Sequence, residues 1–403
     1  MPLGTASISL AEVRAVQSGV ANDVREDGRT LLQRRPIHIT ARTSPSSLVG
    51  AASGDVQGSY NGSYVEVNAS GTVVLAAATP SVVDGCATAD SNSSAGAEQE
   101  CAPDTGKGQL YITIDAVPHV LDTYASAVGG RNVVRYRRDY LAFLASTVRQ
   151  VFGAAQVEVQ EQQGMAEAQV VPEDAGEVSD TAVTVSSANS SAGKSGAAAG
   201  SRGDHLLSGF PAADLYVGEG FGFRIHVDVH VLQCSGGNLF TAIAYAVHTA
   251  LRSLRLPAVT LHKAPGDGAG VSVEVDRSQP YRKAISWAQI PLLCVLLVSP
   301  TGHCVVDPTL REEWAMPQQV HVAAGASGQV VYFRYQQLPS RRGNTYQLRS
   351  AEPSSARDEC AGYVAPPSAL SVNDCWSILS DGVHICQAML HDCEDALTHG
   401  GSV

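Results

Sequence analysis

The sequence predicts an α+β protein, and three observations predict it. Apolar residues recur at every second position in Phe223–Val231 and at three- and four-residue steps in Leu239–Leu254, the periods of a strand and a helix. Stretches of both kinds alternate along the chain, separated by Gly, Asn and Ser turns. Hydrophobic residues make up 44% of 403 positions, enough for a sizeable core. Periodicity gives the class and the elements; it does not give the topology.

In order, Ser7–Asn22 reads as a helix with Ser9 as cap ahead of Glu12. Ile37-His38-Ile39 starts the first strand. Gly58–Leu75 reads as a hairpin or meander with turns at Asn61-Gly62 and Ser70-Gly71. Leu110–Val117 is a further strand, and Asp139–Phe152 carries Leu141, Leu144, Val148 and Val151 at helical steps. Phe223–Val231 is the clearest strand. It sets Phe223, Ile225, Val227, Val229 and Val231 on one face and Arg224, His226, Asp228 and His230 on the other. After a turn at Ser235-Gly236-Gly237, a helix runs from Leu239 to Leu254 and stops before Pro257. Strands follow at Val271–Val275, Pro291–Val298, Gly302–Val306 and Gln329–Arg334. Ser371–Leu390 closes the series as a helix, with Ser371 and Asp374 resembling a capping box.

Two segments break the pattern. Asp84–Gly108 and Ala154–Asp204 are rich in Ser, Ala, Gly and acidic residues and lack apolar periodicity. Such composition buries too little surface to offset the entropy of ordering, so both are expected to be disordered insertions.

The net charge of −12 argues against a free nucleic-acid binder, which is basic as a rule; any RNA surface has to be local or shared with partners. Nine cysteines, an odd number without CxxC pairs, several of them in apolar runs as Cys294, Cys375 and Cys386 are, read as reduced, buried thiols. No basic-then-apolar leader opens the chain, and the longest apolar run, Ile290–Val298, is too short to span a bilayer; no membrane partner is expected.

Candidate chemistry is sparse. His226, Asp228 and His230 share a strand face, but alternate side chains stand roughly 7 Å apart, a spacing that suits one metal ion poorly, so a polar sheet face is expected. Gly193-Lys194-Ser195 lacks the upstream glycine of a phosphate loop, since Ala188 occupies that position. His303 and Cys304, adjacent on a strand, point to opposite faces and cannot form a nucleophilic pair. The densest basic cluster is Arg131, Arg135, Arg137 and Arg138, with Tyr136 inside it, leading into the Asp139 helix. Guanidinium forks can hold phosphates and an aromatic ring can stack a base. Cations at a helix start are disfavoured unless an anion compensates them, so these four are the candidate RNA-binding residues, with Arg34 and Arg35 a weaker pair. Asp307, Glu312 and Glu313 follow a strand; read alone, they form a turn with solvated glutamates.

Three stretches resemble one family. They are Glu26-Asp27-Gly28-Arg29 with Arg34-Arg35-Pro36-Ile37; Ile225–Cys234 with Gly236-Gly237-Asn238-Leu239-Phe240 and the helix to Pro257; and Val306-Asp307-Pro308-Thr309-Leu310 with Glu312-Glu313. Together they are similar to ribonuclease PH-like exosome subunits, in the ribosomal RNA-processing protein 42 branch, also called the exosome component 7 type. The resemblance covers Ser7–Val120, Arg131–Phe152 and Asp214–Leu390.

The resemblance implies a ribosomal protein S5 domain 2-like fold in two related β-α-β halves. It divides the chain into an N-terminal helix and lead-in segment (1–32), a first half (33–260, containing the insertions), a second half with its C-terminal helix (261–390) and a tail (391–403). It implies a hexameric ring of ribonuclease PH-like subunits, cap subunits with S1/KH domains, an associated exoribonuclease and RNA as partners, in the nucleus, nucleolus and cytoplasm. It treats Asp307 and the glutamates as branch signatures rather than catalytic acids. No catalytic residue, metal or cofactor is expected.

Overall fold

The structure, a computed structural model, describes residues 8–42, 62–84, 108–125, 133–154, 209–263, 271–316, 318–337 and 372–399. Apart from Asp84, Gly108 and Ala154, both low-complexity insertions lie outside the described residues.

Helix α1 (Leu10–Ala21) starts where its cap predicts. The Ser9 hydroxyl accepts from the Glu12 N–H at 3.2 Å, and the Glu12 carboxylate accepts from the Ser9 N–H at 2.8 Å, so two open donors of the helix start are satisfied reciprocally. The first sheet has the order β1 (His38–Arg42), β2 (Ser63–Ala69), β3 (Thr72–Asp84), β6 (Phe221–Cys234) and β4 (Gln109–Ala116), with β5 (Tyr216–Gly218) also paired to β6. Only the β4–β6 pair is parallel. The β2–β3 turn falls at Ser70-Gly71, both at positive φ (+49° and +96°), the geometry that matches the right-handed twist of the strands it joins. Strand β6 alternates as the sequence predicts: Ile225, Val227, Val229 and Val231 are buried, and His226, Asp228 and His230 are exposed.

Helices α2 (Pro118–Ala125) and α3 (Val133–Phe152) pack on each other, α2 against β6 and α3 against β4. Helix α4 (Leu239–Ser253) is buried along residues 239–251. It is apolar almost all round because it lies between two sheets, packing on β2, β3 and β6 of the first and on the strand Leu292–Val298 of the second. Strands β7 (Pro257–Lys263) and β8 (Val271–Pro280) form a separate antiparallel pair. The second sheet has the order β10 (Cys304–Val306), β9 (Leu292–Val298), β11 (Gln318–Ala324), β12 (Val330–Gln337), all antiparallel. Helix α5 (Leu310–Ala315) joins β10 to β11, and helix α6 (Val372–His399) packs on β9 and β11. Every residue of β9, Leu-Leu-Cys-Val-Leu-Leu-Val, is buried, so it needs no alternation: α4 and α6 both pack on it. At Gly382 a side chain would put Cβ 2.7 Å from Val322 Cγ2, so glycine sets how closely α6 approaches β11.

One apolar core joins the two sheets and their helices. A second, smaller one docks α1 from the far end of the sequence: Val13, Val16 and Val20 pack against Leu297, Val305, Ala315 and Met316.

Several expectations need correction. The helix expected from Asp139 begins at Val133, so Arg135, Arg137 and Arg138 sit inside its first turns rather than ahead of it; their charge masks the apolar stripe that marks the start. Helix α6 continues past Leu390 to His399, while its expected cap, Ser371, lies outside the described residues. Helix α2 and strands β7 and β11 were not legible. In β11 the reason is plain: Gln318, Gln319 and His321 are polar yet almost wholly buried, so no apolar alternation marks the strand.

Candidate functional site

The three motif stretches, up to 287 residues apart in sequence, converge on one buried network of ions and hydrogen bonds. Its organising piece is the turn from β10 into α5. Asp307 there has φ +47°, an uncommon conformation for a residue with a side chain. Thr309 then caps α5 with a reciprocal box to Glu312. The opposing piece is Gly236-Gly237-Asn238, between β6 and α4. A Cβ on Gly236 would lie 2.4 Å from the Ser70 carbonyl oxygen, and one on Gly237 2.5 Å from the Leu310 nitrogen. Glycine is required at both because the β2–β3 turn and the start of α5 come into backbone contact there. Asn238 itself has φ +55°.

Asp307 is the hub. Its Oδ1 accepts from Arg35 Nη2 at 2.7 Å and from Asn238 Nδ2 at 2.8 Å. Its Oδ2 accepts from the Arg35 backbone N–H at 2.7 Å, from Arg35 Nε at 2.9 Å and from Arg29 Nη1 at 3.1 Å. Burial alone would raise this carboxyl, but Arg35, through its hydrogen bonds and its charge, outweighs burial and holds it below the ordinary 3.8, with Asn238 adding to the effect. Arg25, 3% exposed, forks onto Glu312 at 2.9 and 2.6 Å and donates to the carbonyls of Val306 and Asp307 at 2.9 and 3.0 Å. Glu313 accepts from the Asn238 N–H at 2.8 Å and from the Tyr124 hydroxyl at 3.1 Å. Tyr124 also contacts Cys234, whose thiol is pushed up to about 12, by burial first and then by the Glu313 charge.

This corrects the reading of the glutamates as solvated: Glu312 is 1% and Glu313 7% exposed. It also removes Arg34 and Arg35 as free phosphate ligands. Arg35 spends its fork on Asp307 and the Gly236 carbonyl, and Arg34 pairs with Asp392 of α6 and with the Tyr245 hydroxyl. Chemically, Asp307 is a poor proton donor and already accepts five hydrogen bonds. The arrangement holds three chain segments in register, in the manner of fork-to-carboxylate locks.

The four candidate RNA-binding arginines lie elsewhere. Arg131 lies outside the described residues, as does the side chain of Arg135. Arg137 pairs with Asp122 of α2, while Arg138 is 77% exposed and lies 3.8 Å from Asp139. The His226–Asp228–His230 face forms no joint site: His226 stacks on Tyr111 with ring centroids 5.2 Å apart, and Asp228 accepts from Thr113. His303 bonds Thr301 rather than Cys304.

Sequence reasoning missed Arg25, Tyr124 and the central place of Asn238. Arg25 is adjacent to the Glu26–Arg29 motif, the one hint to its role; nothing local links it to Glu312.

No protein-family model matches the chain. A Dictyostelium discoideum protein provisionally described as the exosome complex exonuclease RRP42 is 31% identical over 104 residues, 26% of this chain and 31% of that protein; the match thus spans about a third of the relative's length. Among solved structures, a chain of an archaeal exosome core matches with a TM-score of 0.51 at 13% identity, over 95% of this chain and 96% of that one. A chain of an Archaeoglobus fulgidus exosome with RNA bound to the active site matches with a TM-score of 0.48 at 13% identity, over 94% and 96%. The likeness to the archaeal exosome core chain shows the fold: the described elements compose the α+β fold of an exosome core chain.

Proposed function

We propose that this chain, which has the fold of an exosome core chain and resembles RRP42 in part of its sequence, is a non-catalytic ring subunit of the RNA exosome. It scaffolds a hexameric channel of ribonuclease PH-like subunits and helps guide RNA for 3′–5′ processing and degradation, including rRNA processing and mRNA decay. Cap subunits with S1/KH domains and an associated exoribonuclease complete the assembly, in nucleus, nucleolus and cytoplasm.

The observation that carries the reading is the state of the motif residues. Asp307, Glu312 and Glu313 are buried and bonded to Arg25, Arg29, Arg35, Asn238 and Tyr124. A phosphorolytic site needs an acid free to donate a proton and cations free to hold phosphate; this network spends its acids and arginines on holding the fold together. We assign the RNA path to Arg131, Arg135, Arg137 and Arg138, a basic cluster in the sequence of an acidic chain.

The test is incubation of the purified protein, alone and with its ring neighbours, with poly(A) RNA and phosphate. No nucleoside diphosphate release is expected; release would favour an active phosphate-dependent exoribonuclease subunit instead. Native mass spectrometry of the tagged protein from cells should show homologous ring chains co-purifying, and a monomer would defeat the reading. Replacing Arg135, Arg137 and Arg138 with Ala should reduce RNA crosslinking to the ring without disturbing its assembly.

A further inference from the structure

We infer that strand β1 and the groove beside it take an extended, acidic segment of a second protein by strand addition. Among the described residues, β1 is the outer strand of the first sheet and pairs with β2, so alternate N–H and C=O groups along its other edge have no partner strand among them. Natural edges are blunted by proline, a bulge, a charge or a covering element. Strand β1 keeps an unbroken five-residue register with β2, contains no proline, carries its one formal charge, Arg42, at its end, and exposes four of its five side chains.

Beside this edge runs a groove of about 350 Å³ between β1, the end of α4 and the end of α6. Its floor is apolar: Ile39 and Leu254 are 4% and 5% exposed, and Leu397 is half-buried. Its rim is basic. Arg255 is exposed and has no ion-pair partner among the described residues. Arg252 is held by one carboxylate, Glu394, at 2.9 Å. Two arginines on one groove are a local exception in a chain of net charge −12, so the partner is selected for acidic residues. A peptide suits the groove better than RNA: none of the lining residues is aromatic, so bases have nothing to stack on. The carbonyls of an unpaired strand edge accept hydrogen bonds and would repel phosphates, whereas a peptide backbone matches both rows. This surface is separate from the ion network and from the α3 arginines, and the inference does not depend on the ring reading.

The experiment uses the full chain and fluorescence anisotropy of a blocked six-residue peptide of alternating glutamate and valine. We expect it to bind. Arg252→Glu with Arg255→Glu, at solvent-accessible positions, should weaken binding about tenfold or more. N-methylation of the peptide at alternate residues should abolish binding in one register and spare it in the other, because only every second N–H faces the strand. That control alters the ligand alone, so it does not depend on how the protein variant folds. Equal affinity for a lysine–valine peptide, indifference to both methylation patterns, or preference for a poly(A) oligonucleotide would each overturn the inference. So would binding that appears only when the chain is shortened to end at His399, since the groove's occupant would then be the chain's own terminus.

Discussion

Asp307 shows how a single carboxylate can be structural by saturation. Five donors from Arg29, Arg35 and Asn238 converge on its two oxygens, at 9% exposure. Removing one partner of such a site strands the others in a poorly solvated position. Asp307→Asn should therefore cost about 3 kcal/mol in urea denaturation at pH 7. The folded value lies below the ordinary 3.8, so the charged form contributes stability fully above pH 3.8 and loses it as pH falls through the lower folded value; Asp307→Asn should lack that acid-limb loss. Two buried histidines act at higher pH. Burial first, then the charges of Arg252 and Arg334, lower His248 and His321 to about 3. Both stay neutral in the folded protein while the unfolded chain takes up protons below its ordinary 6.5. Stability is full above pH 6.5 and declines as pH falls toward 3, by about 2 kcal/mol per ring between pH 7 and pH 5. Urea midpoints at the two pH values measure this, and His321→Gln should shrink the difference; an unchanged difference would show that this ring is protonated in the fold.

At the scale of elements, α5 matters beyond its six residues. Its capping box fixes Glu312, which is also the partner of Arg25, so a local helix-start motif orients a long-range ion pair. Thr309→Ala should lower stability by about 1 kcal/mol, and Thr309→Ser should restore most of it, as read by thermal unfolding. The Ser9–Glu12 and Ser70-Gly71 signals were legible in the sequence because caps and two-residue turns are decided within four residues. Strand β11 was not, because its burial is imposed by β9, β12 and α6 rather than by its own pattern. The start of α3 was hidden for the opposite reason: arginines stand where the apolar stripe thins out.

Across the whole molecule, the N-terminal segment belongs with the second sheet. Val13, Val16 and Val20 meet Leu297, Val305, Ala315 and Met316, and Arg25, Arg29 and Arg35 fasten the following residues to the β10–α5 turn. The chain thus closes on itself across nearly 300 residues. Val20→Ala should cost about 2 kcal/mol. In hydrogen exchange it should raise the rate across α1 more than across α6; equal changes in both helices would mean that the segment does not unfasten on its own.

By itself the sequence determined the α+β class, the β6 and α4 faces, the cap of α1 and the motif stretches that resemble ribonuclease PH-like exosome subunits, since each is written in residues close together along the chain. Only the tertiary structure decided that those stretches meet, that Glu312 and Glu313 are buried, and that Arg34 and Arg35 are committed to Asp392 and Asp307 rather than open to a ligand. Burial and ion pairing are set by whichever distant segment packs alongside, and spacing along the chain carries no record of that distance.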